Sequence, residues 1–122
     1  MLRLKRAYEP PAPDDGLRVL VDRRWPCNVY KAKAHIDRWM KEIAPSEALT
    51  AWFGRDPAKW TIYRHRYWKE LDAKPELVDD LLGLAREGVV TLVYRAKDTA
   101  HNNALALKEY LERRMSARDQ AA

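Results

Sequence analysis

Alternating and continuous apolar positions predict three short strands. Residues 2–8 alternate at first between apolar and basic side chains, which is typical of a strand with one face in water. Residues 17–22 and 89–94 are more continuously apolar, as strands buried on both faces are. Between the first two strands, residues 9–16 contain three prolines and an Asp-Gly pair, so we predict a loop there.

Apolar positions spaced near 3.6 residues apart predict helices in the rest of the chain. The predicted helices span residues 31–43, 46–54, 57–72, 75–88 and 101–115. Ser46 is a favourable N-cap, and Asp56 followed by Pro57 is a typical helix start. Gly54 and Gly88 are typical residues at helix ends.

Large aromatic side chains are frequent in this chain, which contains five Trp, six Tyr and one Phe. The predicted helix 57–72 carries a stripe formed by Trp60, Tyr63, Tyr67 and Leu71. We interpret this stripe as a core face, with an aromatic platform for nucleic acid as the alternative. We also expect the side chains of Trp39, Trp52, Trp60 and Tyr63 to be mainly buried.

The long helical stretch between strands 17–22 and 89–94 predicts a crossover connection. Such a connection joins parallel strands, is right-handed and places helices on the faces of the sheet. The predicted fold class is therefore α/β, a single small domain over residues 1–115 with about three mostly parallel strands flanked by helices. Residues 116–122 form a polar tail that we expect to fray.

The amino-acid composition restricts the classes of protein to which the chain can belong. Hydrophobic residues make up 47% and charged residues 34% of the 122 positions, which is a globular balance. Apolar runs are too short to span a bilayer, and charged residues at positions 1–8 lead us to expect no signal peptide. The single cysteine, Cys27, excludes an internal disulfide and favours a reducing, cytoplasmic location.

Metal and cofactor motifs are weak. His35, His65 and His101 do not form an i, i+4 pair, and the four glycines are isolated rather than gathered in a phosphate-binding loop. We therefore expect neither a metal nor a cofactor.

The chain is basic, with a net charge of +5 and a pI near 9.4. Acidic residues are interspersed along the chain, whereas nucleic-acid-binding proteins usually concentrate their charge. The largest basic excess lies at Lys59, Arg64, Arg66 and Lys69 around His65. We interpret it as a solvated helix face, so nucleic acid is not an expected partner.

Polar residues gather where two predicted parallel strands end. Asp22 and Arg23 follow strand 17–22, and strand 89–94 is followed by Lys97, Asp98, His101 and Asn102. Ligands of open parallel sheets bind at the carboxyl ends of the strands, so we predict a site there. The second loop also opens a helix, which Asp98 or Thr99 can cap and whose free N–H groups favour an anion.

Each of these residues has a role in the predicted site. Arg23, Lys97, Asn102 and Cys27 are the ligand-binding candidates, and Asp22, Asp98 and His101 are the candidates for moving protons. Structural roles remain alternatives: Asp98 as a helix cap, Asp22 as an ion-pair partner of Arg23 or Lys97, His101 as a local hydrogen-bonding residue and Cys27 as a packed thiol.

Several segments together resemble one protein family. They read Tyr8-Glu-Pro-Pro11, Asp14-Asp-Gly16, Arg18-Val-Leu-Val-Asp-Arg23, Trp25-Pro26, Trp39-Met-Lys-Glu-Ile-Ala-Pro-Ser46, Trp52-Phe-Gly54, Asp56-Pro57 and Ala96-Lys-Asp-Thr-Ala-His-Asn102. In combination they resemble the YeaO-like family, a domain of unknown function with the number 488, over nearly the whole chain. The resemblance implies a bacterial α/β protein and supplies no reaction.

The chain departs from that family after Pro26. Relatives typically carry Arg-Gly, a hydrophobic residue, Ser and Lys, where this chain has Cys27, Asn28, Val29, Tyr30 and Lys31. Asn28 can replace glycine at a positive φ. Cys27 removes a positive charge and Tyr30 fills space, so we expect an altered pocket or a different ligand.

Three classes of function remain open at this point. The first is a pocket for a small carboxylate or phosphate, with or without catalysis. The second is a regulatory or interaction module, and the third is a nucleic-acid-associated protein that uses helix 57–72. A thiol function of Cys27 is a further alternative.

Overall fold

The computed structural model describes residues 1–121, with side chains described up to Ala117. Within these residues the strands are Leu2–Arg6 (β1), Leu17–Leu20 (β2), Arg38–Trp39 (β3) and Val90–Tyr94 (β4). The helices are Lys31–Ala34 (α1), Glu47–Phe53 (α2), Trp60–Asp72 (α3), Pro75–Glu87 (α4) and Asn103–Ala121 (α5). Short 3-10 turns lie at Pro13–Asp15, Lys41–Ile43 and Pro57–Lys59.

The four described strands form one parallel sheet in the order β1-β4-β2-β3. Leu92 in the central strand β4 pairs with Leu4 of β1 on one side and with Val19 of β2 on the other. The predicted α/β class is confirmed, with one strand more than expected. Because the strands are parallel, β2 and β4 end at the same edge of the sheet.

The two faces of the sheet are covered differently. Helices α2 to α5 pack on one face, against side chains such as Val19, Val21 and Leu92. On the opposite face Leu20 and Val93 are covered by Trp25 and Ile36 of the connecting loops and by Trp39 of β3. The larger hydrophobic core therefore lies between the sheet and the helices.

The predicted helix 31–43 is wrong. Its first turn forms α1, but His35 adopts a left-handed conformation with φ 50°, and the chain then enters β3 and a 3-10 turn. The apolar residues of this segment serve both faces of the sheet, since Trp39 packs on one side and Ile43 on the other. Their helix-like spacing thus results from two separate packing requirements.

The aromatic core prediction holds for part of the stripe. Tyr63, Tyr67 and Leu71 are buried, whereas Trp60 is half-buried. Trp39 and Trp52 are of intermediate exposure and pack against the core clusters, so these indoles are mainly buried, as expected. Their exposed faces are covered by cations of the chain: Lys41 Nζ lies 4.0 Å from the Trp39 ring centre and Arg66 lies 4.4 Å from that of Trp52.

The last helix begins and ends later than predicted. It starts at Asn103 instead of residue 101, and it continues past Met115 to Ala121. Ala122 lies outside the described residues, so fraying of the 116–122 tail stays a prediction.

Candidate functional site

A cavity of about 480 Å³ opens at the carboxyl ends of β2 and β4. Asp22 and Arg23 after β2, Arg95 after β4 and His101 before α5 line it. Helices α2 and α3 complete the wall. The edge predicted from the order of the strands therefore holds a cavity, and Asp22 and His101 lie on that edge together.

Asp22 is fixed by a backbone N–H and by an indole N–H from the neighbouring strands. Its Oδ2 accepts a hydrogen bond from the backbone N of Arg95 at 2.9 Å, and its carbonyl oxygen accepts one from Nε1 of Trp39 at 2.7 Å. Burial raises the pKa of Asp22, although the Arg95 backbone N–H and guanidinium charge act in the opposite direction. The other carboxylate oxygen, Oδ1, has no hydrogen-bond partner among residues 1–121.

Arg95 is one of the cavity residues that the sequence interpretation missed. It follows β4 directly, and the same strand-end rule that selected Lys97 applies to it. Its Nε is buried and has no hydrogen-bond partner in the part of the chain that the structure describes. Arg95 lines the cavity through the rest of its side chain, because an atom without accessible surface cannot touch a ligand there.

Arg23 lines the cavity, but its guanidinium group also donates to the backbone. Its Nε donates to the carbonyl oxygen of Pro45 at 3.0 Å, and one Nη lies 3.9 Å from the exposed carboxylate of Glu42. These contacts tie the end of β2 to the segment that leads into α2. Arg23 therefore shapes the cavity wall as well as adding charge.

Two exposed arginines lie at the mouth of the cavity. Arg24 follows Arg23, and Arg55 follows α2 in a left-handed conformation with φ 60°. Glu47, also exposed, is the carboxylate on that side. The guanidinium groups of the lining outnumber its carboxylates, so the cavity favours negative charge.

Aromatic side chains form one apolar wall. The rings of Phe53 and Tyr63 stack with centres 4.0 Å apart and planes 15° apart. Burial raises the pKa of Tyr63, so its hydroxyl stays protonated at neutral pH. A ring or aliphatic body can pack here while a charged group faces the arginines.

Asp98 and His101 form a hydrogen-bonded pair beside the cavity. Oδ2 of Asp98 lies 2.9 Å from Nδ1 of His101, and Oδ1 accepts from the backbone N of Ala100 and of His101. The backbone N–H of Ala100, followed by the His101 side chain, lowers the pKa of Asp98. His101 lines the cavity, its ring edge-on to Trp60, whereas Asp98 is exposed outside the lining.

Asn102, not Asp98 or Thr99, caps α5. Its Oδ1 accepts from the backbone N of Leu105 at 2.8 Å, and its Nδ2 donates to the Asp98 carbonyl at 2.9 Å. The predicted cap is wrong by a few residues because residues 98–101 form a separate turn. Both polar ends of Asn102 are thus occupied, although the residue lines the cavity.

Two of the ligand-binding candidates lie apart from the cavity lining. Lys97 and Cys27 are exposed. Asn28 has φ 63°, as its replacement of a family glycine implied. Tyr30 is 74% exposed, so the expectation that it fills pocket space is wrong.

Two basic side chains of α3 lie over tryptophan rings. Arg64 pairs with Glu109 at 3.1 Å and stacks over Trp68, whereas Arg66 stacks over Trp52. These cations cover the rings that a nucleic acid would need for base stacking.

Metal and membrane signals are absent from the described residues. Among the side chains that the structure describes, which run to Ala117, no group of three His, Cys, Asp or Glu residues could hold a metal ion. The described helices also include none with the length and apolar character to cross a bilayer.

Comparison with known proteins gives matches along the whole chain. The family model described as "Inactive DUF488-N3 subclade" matches residues 1–122. The chain is 36% identical over 110 residues to the Uncharacterized protein YeaO of Escherichia coli (strain K12), covering 90% of this chain and 96% of the relative. It is also 36% identical over 113 residues to the Uncharacterized protein Rv3073c of Mycobacterium tuberculosis (strain ATCC 25618 / H37Rv), covering 93% and 95%. No solved structure matches significantly.

Proposed function

The chain belongs to the DUF488 family, in the subclade described as inactive, and we propose that it binds a small carboxylate or phosphate without turnover. The ligand occupies the cavity at the carboxyl ends of β2 and β4. The observation that carries this proposal is the excess of guanidinium groups over carboxylates in the cavity wall, which holds Arg23, Arg24, Arg55 and Arg95 but only Asp22 and Glu47. An anion pairs with guanidinium groups through charge-assisted hydrogen bonds.

The description of the subclade as inactive favours binding over catalysis. The cavity volume of about 480 Å³ suits a small metabolite, and the Phe53–Tyr63 wall suits a ligand with an apolar part. A bacterial, cytoplasmic protein is the setting we propose, since the relatives are bacterial and the exposed thiol of Cys27 suits a reducing compartment.

Calorimetric titration with benzoate and with phenyl phosphate tests the proposal directly. Arg95→Gln should weaken binding of the better probe at least tenfold, the effect expected from losing a charge-assisted contact worth about 1.5–3 kcal/mol. Arg66→Gln is the matched control, because Arg66 lies over Trp52 outside this cavity. Binding should also weaken as the salt concentration rises.

Failure of both probes to bind, or an equal effect of the two variants, contradicts an anion site. The regulatory or interaction module then becomes the better description of the protein.

A second candidate function is acid–base catalysis in the same cavity. Asp98 orients the His101 ring through Nδ1, which is how a carboxylate prepares an imidazole to exchange protons at Nε2. Mass spectrometry of a bound ligand after prolonged incubation distinguishes the two functions. An unchanged ligand supports binding alone, whereas conversion that is lost in His101→Gln supports catalysis.

A further inference from the structure

We propose that the ligand carries a hydrogen-bond donor next to its anionic group, as 2-hydroxy and 2-amino acids do. In this arrangement Arg95 binds the anion and Oδ1 of Asp22 accepts from the donor. The inference rests on the proposed function, because it concerns the ligand of the same cavity.

The geometry places an acceptor beside the anion site. Oδ2 of Asp22 is occupied by the backbone N–H of Arg95 at 2.9 Å, which fixes the carboxylate plane against the residue whose side chain has the unpaired Nε. Oδ1 has no partner among the described residues, and Asp22 lines the cavity. The cavity lining therefore places a carboxylate oxygen without a described partner beside the arginine Arg95.

The charges around Asp22 explain why the ligand needs a hydrogen-bond donor. Several ionisable groups face Asp22 or lie close to it: Arg23, Tyr63, Tyr67, Arg95 and His101. Arg23 already donates to Pro45, so Arg95 is the main counter-charge of the buried carboxylate. An anion that binds Arg95 neutralises the positive charge that stabilises the Asp22 carboxylate. The Asp22 carboxylate then needs a donor from the ligand, or it must take up a proton.

Calorimetry of the whole chain with three related compounds tests the inference. The compounds 3-phenylpropionate, 3-phenyllactate and phenylalanine share a ring and a carboxylate, and they differ in carrying hydrogen, hydroxyl or ammonium on the carbon next to the carboxylate. At neutral pH we expect at least one donor-bearing compound to bind at least fivefold more tightly than 3-phenylpropionate. A gain for phenylalanine alone identifies the donor as an ammonium group.

Asp22→Asn provides a variant of the same shape. Its amide oxygen must accept from the Arg95 backbone N–H, so the NH₂ group replaces Oδ1 at the cavity. We expect the advantage of 3-phenyllactate to shrink, because its hydroxyl then accepts from a neutral amide instead of donating to a carboxylate. Phenylalanine should bind more weakly than 3-phenylpropionate in this variant, since its ammonium group faces another donor.

Failure of the inference and failure of the proposed function give different results. If all three compounds bind through Arg95 with equal affinity, the inference is overturned and the anion site stands. If none binds, or Arg95→Gln has no effect on any of them, the anion site itself is wrong. Should Asp22→Asn fail to fold, the fivefold preference in the wild-type protein decides the inference alone.

Discussion

The backbone N–H of Arg95 donates a 2.9 Å hydrogen bond to Oδ2 of Asp22 and joins the ends of two neighbouring strands. The contact continues the β2–β4 ladder, in which Leu20 pairs with Val93, by two further positions. It holds a buried carboxylate at the floor of the cavity, where burial raises the pKa of Asp22. Stability and ligand binding therefore depend on the same side chain.

Asp22→Asn should stabilise the protein at neutral pH. The folded state keeps the Asp22 proton to a higher pH than the unfolded state does, where the pKa is near 3.8. Between the two pKa values the folded state binds more protons, so the unfolding free energy falls as pH rises. Removing this penalty should raise the unfolding free energy at pH 7, measured by urea denaturation, and raise it less at pH 4.

Asp98→Asn is the control, because its effect on the unfolding free energy at pH 7 should have the opposite sign. The pKa of Asp98 is lowered by hydrogen bonds from the Ala100 backbone and the His101 side chain, so its contribution is present at neutral pH and lost as pH falls. The Asn variant at position 98 should be less stable than wild type at pH 7. A loss of stability in Asp22→Asn at that pH would contradict the assignment of Asp22 as a buried, penalised carboxylate.

The strand-end rule found the cavity because it depends on strand order alone. Asp22 and His101 could be predicted to lie together once the long crossover indicated a parallel pair. Arg95 satisfies the same rule and was overlooked in favour of Lys97, two residues further on. Arg55 could not be predicted, because its approach depends on how α2 packs against the sheet.

The segment 31–43 shows where sequence periodicity fails. Ile36 and Trp39 cover one face of the sheet, and Ile43 belongs to the core on the other. A helix pattern assumes that all apolar residues face one core. That assumption fails when an edge strand such as β3 passes between two packing layers.

Asp15→Asn should destabilise the protein strongly. Asp15 is buried and pairs with Arg18 at 2.7 Å and with Lys5 at 3.1 Å. Burial alone would raise the pKa of Asp15, but hydrogen bonds from the Ala12 backbone, Lys5 and Arg18 outweigh it and lower the pKa. Removing one partner of a buried ion pair typically costs about 3–5 kcal/mol, which urea denaturation at pH 7 would detect.

The neighbouring Asp14 is the natural control for that measurement. Its ion pair with Arg3 is exposed, and such pairs contribute about 0–1 kcal/mol. Asp14→Asn should therefore leave the urea midpoint nearly unchanged. Equal effects of the two variants would contradict a stabilising role for the buried cluster.

Asn102→Ala should weaken the start of α5. The variant loses the cap to the backbone N of Leu105 and the hydrogen bond to the Asp98 carbonyl. Loss of an N-cap costs about 0.5–2 kcal/mol, measured as a lower midpoint of urea unfolding. Thr99→Ala is the comparison that separates the observed cap from the predicted one, and it should have little effect.

Binding of an anion that lacks a donor should be coupled to proton uptake by Asp22. When 3-phenylpropionate neutralises Arg95, the buried carboxylate loses its counter-charge and its pKa rises further above the ordinary value. Affinity should therefore fall as pH increases through the mildly acidic range, whereas 3-phenyllactate should show a weaker pH dependence. Titrations in Bis-Tris and in Tris at one pH measure the uptake, because the observed heat then depends on the ionisation enthalpy of the buffer.

His101 is another titratable residue of the cavity lining, and the exposed Glu47 is a third. Two variants distinguish proton uptake by Asp22 from proton uptake by His101. If Asp22 takes up the proton, uptake should persist in His101→Gln and disappear in Asp22→Asn. The reverse pattern would assign the proton to His101 and leave Asp22 ionised throughout. In that case the ligand donor would no longer be required by charge balance, and the preference for 3-phenyllactate would have to come from its hydrogen bond to Oδ1 alone.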